Sequence, residues 1–302
     1  MKYIFGPVKS RRFGVSLGID LSPKIKSCNF DCLYCELNKA KKTDFIKNEA
    51  DPEDILLELK DFLSKNPYPD VITITANGEP TLYTKLDTLI KQLNKIKGKS
   101  KTLILSNGST IYREDIKEAL KKLDMVKISL DAVSESIFRK IDRPLKSISI
   151  KKIIDGIKNF RKIYNGELII EILVVKDIND TDTEMKKIAS VLKKIKPDRV
   201  DIGTVDRPPA YNVKPVDDRK LEELSKYFEG LNVLIARRNI DTQKKFSLIE
   251  DEIIRTLQIR PMPEEDMINI FDNNTLNLIK VLKSKGILKE KKVGNIKFIY
   301  AN

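Results

Sequence analysis

The chain has 302 residues, 41% hydrophobic and 33% charged, enough to bury one large core or one core with a small appended module. No segment approaches the roughly 20 uninterrupted apolar residues of a bilayer span, and the N-terminal MKYIFGPVKSRRFG has no apolar run of the secretory kind, so a soluble, cytoplasmic protein with no membrane association is expected. Lys and Arg outnumber Asp and Glu by 57 to 44, and the net charge of +13 favours polyanionic partners such as RNA, although a Lys- and Glu-rich composition is also a hot-environment signature; the absence of histidine removes imidazole as base, metal ligand or near-neutral switch.

In chain order, short β-branched runs alternate with longer amphipathic stretches from about residue 15 to residue 236, the pattern of repeated βα units on a parallel sheet. Strands are predicted at 16–20, 71–76, 102–106, 125–130, 168–175 and 199–204. Helices are predicted at 52–64, 86–96, 113–123, 148–164, 183–195 and 217–228; in the first, Ile55, Leu56, Leu59 and Phe62 recur at helical spacing behind an Asp51 cap and a Pro52 first turn. Six units are fewer than the eight that close a full barrel, so the fold class is α/β, a partial (βα)6 barrel spanning residues 1–236. Residues 237–245 are polar and basic and read as a linker. Residues 246–302 then carry three short helical patterns, at 246–257, 264–271 and 275–285, and an alternating stretch at 287–300 around Gly294-Asn295 that reads as a hairpin, an order expected of a small winged-helix domain.

All three cysteines fall within eight residues, Cys28-Asn-Phe-Asp-Cys32-Leu-Tyr-Cys35, in a loop opened by Ser22-Pro23 after the first predicted strand. Their closeness argues against disulfides that staple distant segments. Structural zinc takes four N or S ligands, and this chain has no fourth cysteine and no histidine. Three thiolates suit a four-iron cluster with one iron left open to an outside ligand. The plainer alternative, three structural cysteines, does not call for such clustering.

The spacing C-x3-C-x2-C with an aromatic before the last cysteine resembles the signature of the radical S-adenosylmethionine (SAM) superfamily. The resemblance implies that Cys28, Cys32 and Cys35 ligate one [4Fe-4S] cluster, that SAM chelates the open iron, and that reductive cleavage of SAM gives a 5′-deoxyadenosyl radical for hydrogen abstraction. By the same match Tyr34 lines the adenine site. Gly78-Glu79-Pro80 looks like the segment that meets the methionine ammonium, with an exposed carbonyl or carboxylate accepting from the cation. Asn107, at the end of the third predicted strand, joins the same pocket, while Ser129 and Asp131 at the end of the fourth resemble the ribose-contacting position.

Further segments, Gly6-Pro7-Val8, Ser10-Arg11-Arg12, Ser16-Leu17-Gly18, Asp142-Arg143-Pro144 and Asp206-Arg207-Pro208-Pro209, resemble an uncharacterised group of that superfamily related to the tRNA wybutosine tricycle synthases and bearing a C-terminal winged helix. No cysteine remains for a second cluster or for a cysteine-dependent RNA methylation. Arg11, Arg12, Arg143, Arg207 and Tyr211 are candidate contacts to a phosphate- or carboxylate-bearing substrate, or braces that form ion pairs; the substrate classes in view are RNA, a peptide or a small molecule. An electron donor such as ferredoxin or flavodoxin is implied. The competing reading is an iron-sulfur-sensing winged-helix regulator that binds nucleic acid; it calls for cysteines beside the winged helix, some two hundred residues from where they stand.

Overall fold

The computed structural model describes residues 2–235, 244–293 and 296–301. Eight strands form one sheet in chain order: β1 (Ile4–Ser10), β2 (Gly14–Asp20), β3 (Val71–Thr75), β4 (Lys101–Ser106), β5 (Met125–Ser129), β6 (Glu167–Val174), β7 (Arg199–Thr204) and β8 (Val233–Ile235). β1 pairs antiparallel with β2, and every later pair is parallel. A strand order that never reverses keeps successive crossovers turning the same way, which is barrel winding rather than a doubly wound sheet. The crossovers carry α1 (Pro52–Lys65), α2 (Leu86–Ile96), α3 (Glu114–Leu120), α4 (Glu135–Ile141), α5 (Ile150–Ile163), α6 (Asp182–Ile195) and α7 (Asp218–Ser225).

All six predicted strands are present within two residues of their expected bounds, and two more join them. β1 contains Gly6-Pro7, and proline lacks the N–H that an interior strand needs; it is accommodated at a sheet edge, where the β1–β2 register shifts between Phe5 and Val8. β8 is three residues long, too short for a periodic signal. α4, not predicted, is a seven-residue helix whose buried residues are Phe138 and Ile141.

Side chains alternate across the strands. Leu17, Ile19, Ile72, Ile74, Ile104, Val126, Ile128, Ile170 and Ile202 point to the helices and share one core with Leu59, Leu89, Ile157 and Ile188. The other parity faces the inside of the curled sheet. There Phe13, Val71, Leu103, Leu105 and Met125 form a small separate apolar plug, beside Lys127, which is 5% exposed, and the fully buried Asp201.

After the eight-stranded sheet come α8 (Glu250–Ile259), β9 (Met262–Pro263), α9 (Glu264–Ile270), α10 (Asn273–Ser284), β10 (Leu288–Val293) and β11 (Ile296–Ala301), the strands forming an antiparallel sheet in the order β10-β11-β9. β10 and β11 pair as the predicted hairpin; its turn, Gly294-Asn295, and residues 237–243 of the predicted linker lie outside the described residues. This C-terminal module is held on β1: Gly6 N donates to Thr256 Oγ1 at 2.9 Å, and Arg255 Nη2 donates to Lys2 O at 3.0 Å. Its buried Phe246, Ile253 and Leu257 continue the core of the barrel.

Candidate active site at the strand ends

The cysteines lie in the segment between β2 and α1, and that segment is held by hydrogen bonds to loops from neighbouring strands. Ser27 N donates to Asn77 O at 2.8 Å and Glu79 N to Ser27 O at 2.9 Å, so the cysteine loop and the Gly-Glu-Pro loop are zipped as a short parallel bridge. Gly78 makes that approach possible: its φ is +138° and a Cβ there would stand 1.8 Å from Ser27 O. On the other side Asp31 N and Leu33 N donate to Asp142 O and Ile141 O at 3.1 and 2.9 Å, and Leu145 N donates to Asn29 O at 2.9 Å. Asp20, at the end of β2, accepts from Ser22 N at 3.0 Å and Asn77 N at 2.8 Å, and its other oxygen pairs with Arg255 of α8 at 3.1 Å.

The three thiols are free and partly exposed. Phe30 N lies 3.5 Å from Cys28 Sγ, Asn107 Nδ2 3.9 Å from the same sulfur, and Lys26 Nζ 3.5 Å from Cys35 Sγ, donors of the kind that stabilise thiolate sulfur. Desolvation pushes the Cys28 thiol up to about 12 and raises Cys32 and Cys35 as well; binding of iron would displace those protons. Among the described residues no three His, Cys, Asp or Glu side chains converge closely enough to chelate one metal ion. The donor set, three sulfurs with amide and ammonium donors at two of them, therefore fits [4Fe-4S].

Glu79 is 2% exposed, so the expectation of an exposed carboxylate is corrected. Its Oε1 accepts from Thr81 N at 3.0 Å, Thr81 Oγ1 at 2.6 Å and Ser106 Oγ at 2.7 Å, and its Oε2 from Asn107 N at 2.7 Å. A carboxylate at a loop end with four donors in reach is drawn inward by them. Asn107 in turn donates to Asn29 Oδ1 at 2.9 Å, making it a brace of the cysteine loop.

Asp131 is likewise 2% exposed. One oxygen accepts from Leu173 N at 2.7 Å and the other from the Tyr34 hydroxyl, with Cys32 Sγ 3.4 Å from the neighbouring Asp142. Desolvation pushes both carboxyls up, and the charge of Asp131 raises Asp142 further. Asp131 thus stands behind Tyr34 and fixes its hydroxyl, whereas Ser129, at the end of β5, is only half-buried.

Each candidate arginine has a carboxylate partner. Arg11 pairs with Asp206, Arg207 Nη1 with Glu36 at 2.6 Å, Arg143 Nη2 with Asp31 at 3.0 Å, and Arg12 with Glu171 at 3.1 Å and Asp201 at 3.3 Å. The Tyr211 hydroxyl donates to Asp31 at 2.7 Å, and Arg143 stacks 4.6 Å from the Tyr211 ring. Arg143 and Tyr211 therefore clamp Asp31, the residue just before Cys32.

The sequence reading did not find the inner ion network. Lys127 Nζ lies 2.7 Å from Glu171 and 3.1 Å from Asp201, while Arg199 Nε lies 2.8 Å from Asp201 and Nη1 3.1 Å from Glu167. A lone charge in each apolar strand, Lys127 in MVKIS and Glu171 in IIEIL, at the parity opposite to the helices, is the signal that could have found it.

Comparison with known proteins matches the family model of the Radical SAM superfamily over residues 23–189, which include the cysteine loop, the Gly-Glu-Pro segment and β3 to β6. The chain belongs to the Radical SAM superfamily. Within it, the chain is 42% identical over 300 residues to a UPF0026 protein of Helicobacter pylori, covering 99% of this chain and 97% of that one. It is 32% identical to a UPF0026 protein of Methanocaldococcus jannaschii, over 95% of this chain and 92% of the relative. A structure of TYW1 with a lysine-pyruvate adduct bound shares the fold at a TM-score of 0.54 and 19% identity, covering 76% of each chain. With the α/β sheet, this membership favours an enzyme over the sensor-regulator. No helix among the described residues is long and apolar enough to cross a membrane.

Proposed function

We propose that the chain is a cytoplasmic radical SAM enzyme in which Cys28, Cys32 and Cys35 hold one [4Fe-4S] cluster for hydrogen abstraction from a substrate bound in the mouth and interior of the curled sheet. The observation that carries this reading is the Ser27–Gly78 bridge, which fastens the three-cysteine loop to the Gly-Glu-Pro loop at adjacent strand ends. Strand ends of parallel sheets are where such folds gather ligands. When bound, the cluster and SAM together supply one-electron reductive cleavage of a sulfonium, yielding a 5′-deoxyadenosyl radical.

The chain's own groups then have separate tasks. Gly78 presents its backbone carbonyl, rather than the buried Glu79 carboxylate, to an ammonium group. Ser129 offers a hydroxyl to a ribose, and Tyr34, held by Asp131, offers its ring to adenine. Lys26 and Asn107 donate toward the cluster sulfurs and steady the loop. Ferredoxin or flavodoxin is the class of electron donor such chemistry needs. The net charge of +13 supports an anionic substrate such as RNA or an acidic peptide. The order of three helices and an antiparallel hairpin supports a winged-helix reading of the C-terminal module, whose seat on β1 favours a capping role.

Anaerobic reconstitution with iron and sulfide, reduction with dithionite and chromatography for 5′-deoxyadenosine tests the reading. Wild type is expected to release the nucleoside, and Cys32→Ala to lose both cluster absorbance and product because a cube loses one of three anchors. No nucleoside above the protein-free control would overturn it.

A further inference from the structure

We propose that the seam between the barrel mouth and the C-terminal module is a subsite for a phosphate monoester group of the substrate, gripped by Arg260 together with Arg11 and Arg207. A cavity of about 90 Å³ opens there, between the β1–β2 turn, the segment after β7 and the segment joining α8 to β9. That is several times the ~10–15 Å³ one water needs. Five cationic side chains line it, Lys9, Arg11, Arg12, Arg207 and Arg260, against two carboxylates, Asp206 and Asp266.

Arg260 is the arginine of the set without a partner. Among the described residues its guanidinium makes no hydrogen bond and has no carboxylate within ion-pair distance, while Arg11, Arg12 and Arg207 each have one. Its backbone is fixed, by donation to Thr256 O at 2.8 Å and by Pro261 leading into β9, so it cannot simply swing away as a chain end would. Desolvation, then the positive charge of Arg207, with Arg11 adding to it against the pull of Glu36, depresses its pKa to about 9. It is still a cation at neutral pH, half-buried and crowded by like charges, and a partly desolvated charge gains from a partner. An oxyanion relieves that arrangement. Guanidinium forks arriving from three separate segments suit a tetrahedral group with acceptors in several directions better than a planar carboxylate, which one fork satisfies.

The site adjoins the proposed chemistry. Arg207 also holds Glu36, the residue after Cys35, and Ala210 N donates to Cys35 O at 2.8 Å. Arg12 runs from the cavity wall to Glu171 and Asp201 inside the sheet. A phosphate seated at Arg260 would leave its ester substituent beside the barrel mouth. Calling the anion part of a substrate rests on the radical SAM reading; the binding of phosphate does not.

The test is calorimetric titration of the anaerobically reconstituted full chain with inorganic phosphate at low ionic strength, followed by displacement with methyl phosphate. Saturable one-to-one binding is expected, weakened at least tenfold in Arg260→Met and tightened severalfold in Asp266→Asn, which removes a competing carboxylate. Without phosphate, Arg260→Met is expected to melt at or above the wild-type temperature, since it removes a charge crowded by like charges, so that its lost affinity cannot be put down to unfolding. Unchanged phosphate affinity in both variants, or no saturable binding by wild type, overturns the proposal; failure of methyl phosphate to displace phosphate overturns its assignment to a substrate. Loss of 5′-deoxyadenosine from wild type itself would instead strike the radical SAM reading.

Discussion

On the helix-covered face of the sheet Leu17, Ile72, Ile104, Ile128, Ile170 and Ile202 are buried among aliphatic partners, while the opposite face of the same strands carries Lys127, Glu171, Asp201 and Arg199. The first face is held by area removed from water, which is non-directional and tolerant of exchange. The second is held by paired charges whose desolvation is offset only while every partner is in place. The comparison teaches where this protein is plastic and where it is brittle: the outer face supports the fold in small increments, and the inner face concentrates its cost in a few pairs beside the site.

The largest expected effect breaks the inner face. Lys127→Met, which removes the cation shared by Glu171 and Asp201, is expected to cost about 3–5 kcal/mol in denaturant unfolding because it leaves buried carboxylates undercompensated. Its acid limb sharpens the comparison. Desolvation opposes ionisation of Glu171, but Lys127 and Arg12 outweigh it and hold the carboxyl below its ordinary 4.5. A carboxyl depressed in the folded state contributes stability that is full above its unfolded value and lost as pH falls through the folded one. Wild type should therefore keep this contribution to below pH 4.5, and Lys127→Met should begin to lose stability at higher pH; superimposable acid limbs for the two proteins would remove Lys127 from the network.

Legibility in the sequence divides along the same line. The outer face was readable because its signal is local: β-branched runs and helical spacing placed all six predicted strands, and the cysteine loop and Gly78 were found from contiguous residues. β1 was hidden by its Gly6-Pro7, and α4 and β8 by shortness. The inner face was not readable as a network, because Lys127 and Glu171 are 44 residues apart, a separation that no periodicity spans. The motifs located Glu79 and Asp131 at strand ends but could not say which way their oxygens face, since burial there is decided by Thr81, Ser106 and Asn107 for one and by Tyr34 and Leu173 for the other.

A middle-sized effect lies where the faces meet at the strand ends. In Glu79→Gln an amide group that can only donate replaces one carboxylate oxygen, so at least one of the donors Thr81, Ser106 and Asn107 faces another donor. A cost of about 1.5–3 kcal/mol is expected, the worth of hydrogen bonds to a charged acceptor. Because Asn107 also braces Asn29 in the cysteine loop, iron content after reconstitution should fall with it. Full iron occupancy at reduced stability would detach the Glu79 clamp from the loop.

The smallest effect is on the outer face. Ile170 is fully buried in the aliphatic core, and Ile170→Val deletes one methylene there, for about 0.5–1.5 kcal/mol in denaturant unfolding. The adjacent Glu171 points through the sheet to the other side, so its ion pairs should be untouched, and the acid limb and iron content of the variant should follow wild type. Were this substitution to shift the acid limb as Lys127→Met does, the two faces would be coupled mechanically through the strand, and the inner network would owe its geometry to the packing behind it rather than to its own charges.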